Sequence, residues 1–206
     1  MLPVITISRQ YGSGGHELGE KVAKELGIPY LDKQLIAMAA KEAGYSEEIF
    51  AHADERATNS LLYSMVTGSY GFSHRVTGGV GEMPINDKLF IVQSDIIKKY
   101  AGEGPCVIVG RCADYILREN NNVLRVFVHG DKAARVNRIV EKELSDRKKA
   151  PDFVAKKDKQ RANYYNFYTN RRWDDINNYN LSVDTSLFTM GQAVALVIEA
   201  AKKLDK

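Results

Sequence analysis

The sequence predicts an α/β protein of three layers, a parallel sheet flanked by helices on both faces. Three observations carry this. Short apolar runs, "PVITIS", "CVIVG" and "NVLRVFVHG", lack the polar alternation of a half-exposed sheet and read as strands buried on both faces. Helical stretches separate these runs, and strands alternating with helices pair in parallel. The first strand also passes directly into a glycine-rich turn and then a helix.

In chain order, residues 3–8 form the first strand, with Val4, Ile5 and Ile7 as its apolar residues. The turn 11–15 follows. Leu18, Val22 and Leu26 then recur at i, i+4 and i+8, and Ala23 broadens the stripe, so 17–26 is an amphipathic helix. Gly27 is its C-cap. "IPYLD" is a short second strand ending at Asp32. Residues 106–110 and 122–130 are further strands. Asp131 stands at the N-cap of "DKAARVNRIVEKEL". A helix over 152–169, a last strand over 180–186 and a closing helix, "MGQAVALVIEAAKKL", complete the chain. Segment 46–86 breaks the alternation. Its start reads as helical, whereas "TGSYGFSHRVTGGVGE" (67–82) is aperiodic and glycine-rich, a mobile loop that serves either as a substrate-side lid or as a surface insertion. The whole, 1–206, reads as one domain with that insertion and a lid-like segment at 150–173.

Composition narrows the function classes. Hydrophobic content of 44% and charged content of 27% are those of an ordinary globular chain. A net charge of +3 is too small to imply nucleic acid as a partner. No apolar run approaches the ~20 residues that span a bilayer, so no membrane partner is expected. The chain enters a strand at once, and a signal peptide is not expected. Cys106 and Cys112 lie six apart without a second pair, which indicates neither a zinc site nor a disulfide framework. The cytoplasm is the compartment this predicts.

Gly12, Gly14 and Gly15 stand between a strand and a helix, where bare backbone amides and a helix N-terminus can converge on an anion. The pattern for such loops ends in lysine and a hydroxyl residue. Here Gly15 takes the lysine position and His16 the hydroxyl position. Ser13 is a candidate to hydrogen-bond phosphate inside the loop. His16 is a poor Mg²⁺ ligand and, when protonated, a phosphate ligand. Glu17 favours the helix N-terminus. Phosphoryl transfer needs cations on the transferred group, and the candidates to replace the lysine are Arg9 and the late group Lys157, Lys159, Arg161, Arg171 and Arg172. Lys157 and Arg161 share a helix face. Arg111 follows a strand and a glycine at the carboxyl edge of a parallel sheet, where ligands bind. It either holds an acceptor phosphate through two hydrogen bonds or pairs with Asp114. Asp32 either caps a helix from Lys33, orients acceptor-binding arginines or holds Mg²⁺-bound water. The rings of "YYNFYTNRRW" are read as core or interface before base-stacking, and Tyr11 as a cover for the loop or a stack on adenine.

"ISRQYGSGG", "PYLDKQLI", "VIVGRCADYIL", "DKQRANYYNFYTNRRW" and "YNLSVDTS" together resemble the cytidylate kinase-like family, a branch of the P-loop nucleoside monophosphate kinases. The resemblance implies a P-loop NTPase-like fold, ATP and Mg²⁺ as co-reactants, and transfer of the γ-phosphate to a nucleoside monophosphate such as CMP or a related small acceptor. By position it implies phosphate binding at Gly12, Ser13, Gly14, Gly15, His16 and Glu17. It implies catalytic roles for Asp158 and Arg161, beside the loop-entrance candidate Arg9, and acceptor binding at Asp32, Arg111 and Asp184. No protein metal ligand is assigned. Two departures stand out: the loop lysine is absent, and Cys112 replaces the aspartate after Arg111. The departures leave open a nucleotide-binding module with weak or no turnover. Partners are small-molecule nucleotides, and the oligomeric state stays open, a homodimer included.

Overall fold

The computed structural model describes residues 2–32, 85–143 and 146–204, with positions 37, 38, 41 and 44 between them. The expectations for 46–84 and for a helix starting at Lys33 lie outside the described residues. Five strands, β1 (Val4–Arg9), β2 (Tyr30–Leu31), β3 (Val107–Val109), β4 (Val123–His129) and β5 (Leu181–Asp184), form one sheet in the order β2-β3-β1-β4-β5. Every pairing is parallel. The described helices are α1 (Gly15–Leu26), α2 (Ile85–Glu103), α3 (Ala113–Ile116), α4 (Lys132–Glu143), α5 (Ala150–Thr169) and α6 (Met190–Leu204), with a 3₁₀ turn at Ile176–Asn178.

Strand parity builds the layers. Ile5, Ile7, Val107, Val109, Leu124, Val126 and Val128 face α1 and α6 and pack on Leu18, Val22, Val194 and Val197. The alternate residues Val4, Ile108 and Val123 face α2 and α3, packing on Val92, Ile96, Ile97 and Ile116. Phe127 meets Tyr164, Tyr165 and Tyr168 of α5 and Trp173. These rings fill the core, as their helical spacing predicts. Val136 and Ile139 of α4 pack on Ala150 and Val154 of α5. Gly27 ends α1 in the left-handed conformation, φ 65°, with its amide donating to Lys24 and Ala23 carbonyls, so the predicted C-cap is present.

Helix α2 does not stand out in the sequence, and the structure gives the reason. Asp87, Gln93 and Ser94 are buried among Leu89, Val92, Ile96 and Ile97, so polar residues interrupt the apolar stripe. The Tyr168 hydroxyl donates to Asp87 (3.0 Å), and Phe90 stacks on the Tyr168 ring at 4.2 Å. This joins α2 to α5 above the carboxyl ends of the strands. Parallel pairing puts all those ends on one edge, so the residues that follow the five strands share one side of the molecule.

Candidate functional site

The loop after β1 is built so that its carbonyls face away from its amides. The Arg9 carbonyl accepts from Arg161 Nη1 (2.9 Å), the Tyr11 carbonyl from Arg135 Nη1 (2.9 Å), the Gly12 carbonyl from Arg138 Nη1 (2.7 Å) and the Ser13 carbonyl from Thr185 Oγ1 (2.7 Å). The Gln10 carbonyl accepts from Ser13 Oγ (2.8 Å). By contrast, the amides of Gly12, Gly14, Gly15, His16 and Glu17 donate to no group among the described residues. Five such donors at a helix N-terminus have the geometry that suits an anion. Gly14 holds φ 80°, and a Cβ on Gly12 would lie 2.7 Å from the Arg135 carbonyl oxygen. Side chains at these positions would break the turn. The loop amides border a solvent-open cleft of about 370 Å³, also lined by Arg9, His16, Arg138, Lys142 and Arg161.

Two site expectations need correction. Ser13 is fully buried, and its hydroxyl proton goes to Gln10, so it shapes the loop from within. Asp158 faces the outside of the loop. Its Oδ1 accepts from the Tyr11 amide (2.7 Å) and its Oδ2 from Arg135 Nη1 (2.6 Å). Such a carboxylate holds the loop in shape. Arg135, Arg138 and Lys142 were not singled out in the sequence. Their i, i+3, i+7 spacing on α4 was the signal, since it puts three cations on one helix face.

On the other side of β1 lies a narrow cleft of about 20 Å³, lined by Arg9, Arg111, Arg161, Tyr164, Tyr165 and Trp173 among others. Gly110, Arg111 and Cys112 are consecutively left-handed, at φ 80°, 58° and 55°. For residues with a Cβ that conformation costs ~1–2 kcal/mol each. The turn buries Arg111 to 4% exposure, with its guanidinium 6.0 Å from the Tyr164 ring centre. Neither Nη1 nor Nη2 has a hydrogen-bond partner among the described residues. The alternative pairing with Asp114 does not form. Asp114 instead accepts from Tyr165 (2.6 Å) and Ser8 (3.5 Å), and burial raises its carboxyl pKa. Arg9 and Arg161 line both clefts. The Arg9 guanidinium lies against Gly110, in the space a Cβ there would fill.

His16 and Asp32 meet at the edge of the loop, Nε2 to Oδ2, 3.0 Å. Asp32 and Arg111 follow adjacent strands. Asp184 is elsewhere. It ends β5, three strand spacings or ~14 Å from β3. Its carboxylate accepts from the Ser186 hydroxyl and amide, which hold its pKa low. Asp184 thus lies apart from Asp32 and Arg111, and Thr185 beside it is the residue that reaches the loop. Glu17 pairs with Lys142 (2.6 Å) and Lys21 (3.0 Å), and these bonds lower its pKa to about 2. Of the late basic group, Arg161 alone reaches either cleft. Lys157 lies over Phe153, Arg171 over Tyr115, and Arg172 pairs with Asp174 at the surface. Among the described residues no helix is long and apolar enough to cross a membrane, and no three metal-ligating side chains cluster.

Comparison with known proteins places this geometry. No curated protein matches the chain. Among solved structures it is similar to an uncharacterized protein from Eubacterium ventriosum, at 27% identity over 97% of this chain and 98% of that one, TM-score 0.72. It is similar in fold to shikimate kinase from Bacteroides thetaiotaomicron (13% identity, 98% and 99% covered, TM-score 0.52). The same holds for a gluconokinase from Sinorhizobium meliloti (16%, 98% and 95%, 0.52). The model of the cytidylate kinase-like family matches residues 4–187. The chain belongs to the cytidylate kinase-like family and has the fold of nucleotide-dependent P-loop kinases.

Proposed function

We propose that this chain transfers the γ-phosphoryl group of ATP to the phosphate of a nucleoside monophosphate such as CMP, or of a related small acceptor. One observation carries the reading: Arg111 is a buried guanidinium whose two terminal nitrogens have no hydrogen-bond partner among the described residues, in a cleft next to the glycine loop. An unpaired buried cation is costly unless an anion completes it. A phosphate dianion does so through two parallel hydrogen bonds.

In this reading the donor phosphates rest on the amides of Gly12, Gly14, Gly15, His16 and Glu17. The acceptor phosphate rests on Arg111. Arg9 and Arg161, which border both clefts, face the group in transit and offset its equatorial charge. They act where the loop lysine would. The acceptor phosphate is already ionised near neutrality, so no base is needed. Mg²⁺ suits one or two carboxylates together with substrate phosphates. Asp32, at the loop edge beside His16, is the carboxylate that would hold it, directly or through water. When bound, the ion neutralises phosphate charge.

A second reading, nucleotide binding without turnover, is favoured by Gly15. It fills the lysine position, and a Cβ there would lie 2.6 Å from Arg9 Cβ, so no longer side chain fits. The test is Mg²⁺ and ATP against a panel of nucleoside monophosphates, with products resolved by chromatography and Arg111→Ala alongside. Diphosphate formed from CMP or UMP, and lost in the variant, is expected. ATP binding with no product from any acceptor favours the second reading.

A further inference from the structure

The outer face of the loop carries an inference of its own. A trans peptide unit is planar, and its C=O and N–H point in opposite directions. Fixing the carbonyl of one residue therefore aims the amide of the next. Arg135 Nη1 holds the Tyr11 carbonyl, which aims the Gly12 amide. Thr185 holds the Ser13 carbonyl, which aims the Gly14 amide.

Arg135 is suited to this. It is 6% exposed, and its Nε donates to the Gly130 carbonyl (2.9 Å), which fixes the guanidinium plane. Its Nη1 is shared between Tyr11 and Asp158. Asp158 balances the charge and holds the Tyr11 amide from the same side. Helices α4 and α5 thus grip both polar groups of one loop residue.

We propose that Arg135 and Asp158 are positioning residues of the donor site, which set phosphate affinity by aiming the Gly12 amide without touching the nucleotide. The inference rests on the reading of the loop as the ATP phosphate site. It differs from a general stabilising role because it is local: loss of Arg135 disturbs Gly12, whereas Gly14 stays aimed by Thr185.

The test is a titration of ¹⁵N-labelled protein with Mg·ATP, following the Gly12 and Gly14 amide signals, in wild type, Arg135→Met, Arg135→Lys and Asp158→Asn. Lys202→Ala, on the distant exposed end of α6, serves as control. In wild type both glycine signals are expected to move. In Arg135→Met the Gly12 response is lost, the Gly14 response persists, and ATP affinity falls roughly 10- to 100-fold, the worth of one charge-assisted hydrogen bond. Asp158→Asn keeps an oxygen for the Tyr11 amide and falls between. In turnover, KM for ATP rises while kcat and the acceptor KM stay within about twofold. Should Arg135→Met not fold, Arg135→Lys and Asp158→Asn carry the same comparison. Variants that bind ATP as wild type does, with Gly12 still responding, overturn the positioning role alone. A wild type whose loop amides ignore ATP overturns the donor-site reading beneath it.

Discussion

Arg111→Met separates function from stability at one position. The substitution keeps an unbranched stem and removes the charge. Both residues carry a Cβ, so the strain of φ 58° weighs equally on each and cancels. What remains is the guanidinium. It is 4% exposed, its two terminal nitrogens have no hydrogen-bond partner among the described residues, and leaving charged donors unpaired costs about 2 kcal/mol each. The Tyr164 ring at 6.0 Å returns about 1 kcal/mol. The balance makes the variant more stable by about 3 kcal/mol, within the ~1–4 kcal/mol gained when apolar groups replace buried charges. For a chain of this size that raises Tm by about 6–12 °C. The same change removes two charge-assisted bonds to the acceptor and lowers kcat/KM for it by about 10²- to 10³-fold. The assay is thermal and urea denaturation in anion-free buffer, repeated with inorganic phosphate. Phosphate should stabilise the wild type and leave the variant unchanged. A variant less stable than wild type without anions would refute the reasoning, since the guanidinium would then be satisfied by the protein itself.

Other outcomes follow from the same geometry. Gly110→Ala puts a methyl group where the Arg9 guanidinium lies and requires φ 80°; it should lower stability by about 1–3 kcal/mol and reduce turnover, as read by denaturation and initial rates. Burial raises the Asp114 pKa, so its contribution is present below the unfolded pKa and is lost as pH rises through the folded value. Asp114→Asn should therefore match wild type at low pH and exceed it at alkaline pH, and equal urea midpoints at both would count against this. Glu17 runs the other way: its pKa is lowered from 4.5 to about 2 by Lys142 and Lys21, so its contribution is present above pH 4.5 and is lost towards pH 2. The side chain is one-third exposed, so Glu17→Gln should cost less than about 1 kcal/mol at pH 7 and little at high salt.

The sequence by itself determined the layer architecture. Runs such as Val4–Arg9 and Val123–His129 are buried on both faces, and only a sheet covered by helices on both sides buries such strands. It also located the glycine turn, the Gly27 cap and Arg111, because each depends on a residue type at a fixed offset from a strand or helix. Helix α2 was not legible, since its buried Asp87 and Gln93 break the periodicity that marks a helix. Tertiary structure decided which side chains converge. Strand order put Asp32 and Arg111 after neighbouring strands and left Asp184 on the far side of the loop. The packing of α4 and α5 turned Asp158 and Arg135 to the loop's outer face. Sequence separations such as the 147 residues between Tyr11 and Asp158 carry no local signal. That contact exists only because two helices, anchored by Val136, Ile139, Ala150 and Val154, lie against each other. Residue chemistry is local and can be read along the chain, whereas the direction a side chain faces is fixed by what packs behind it.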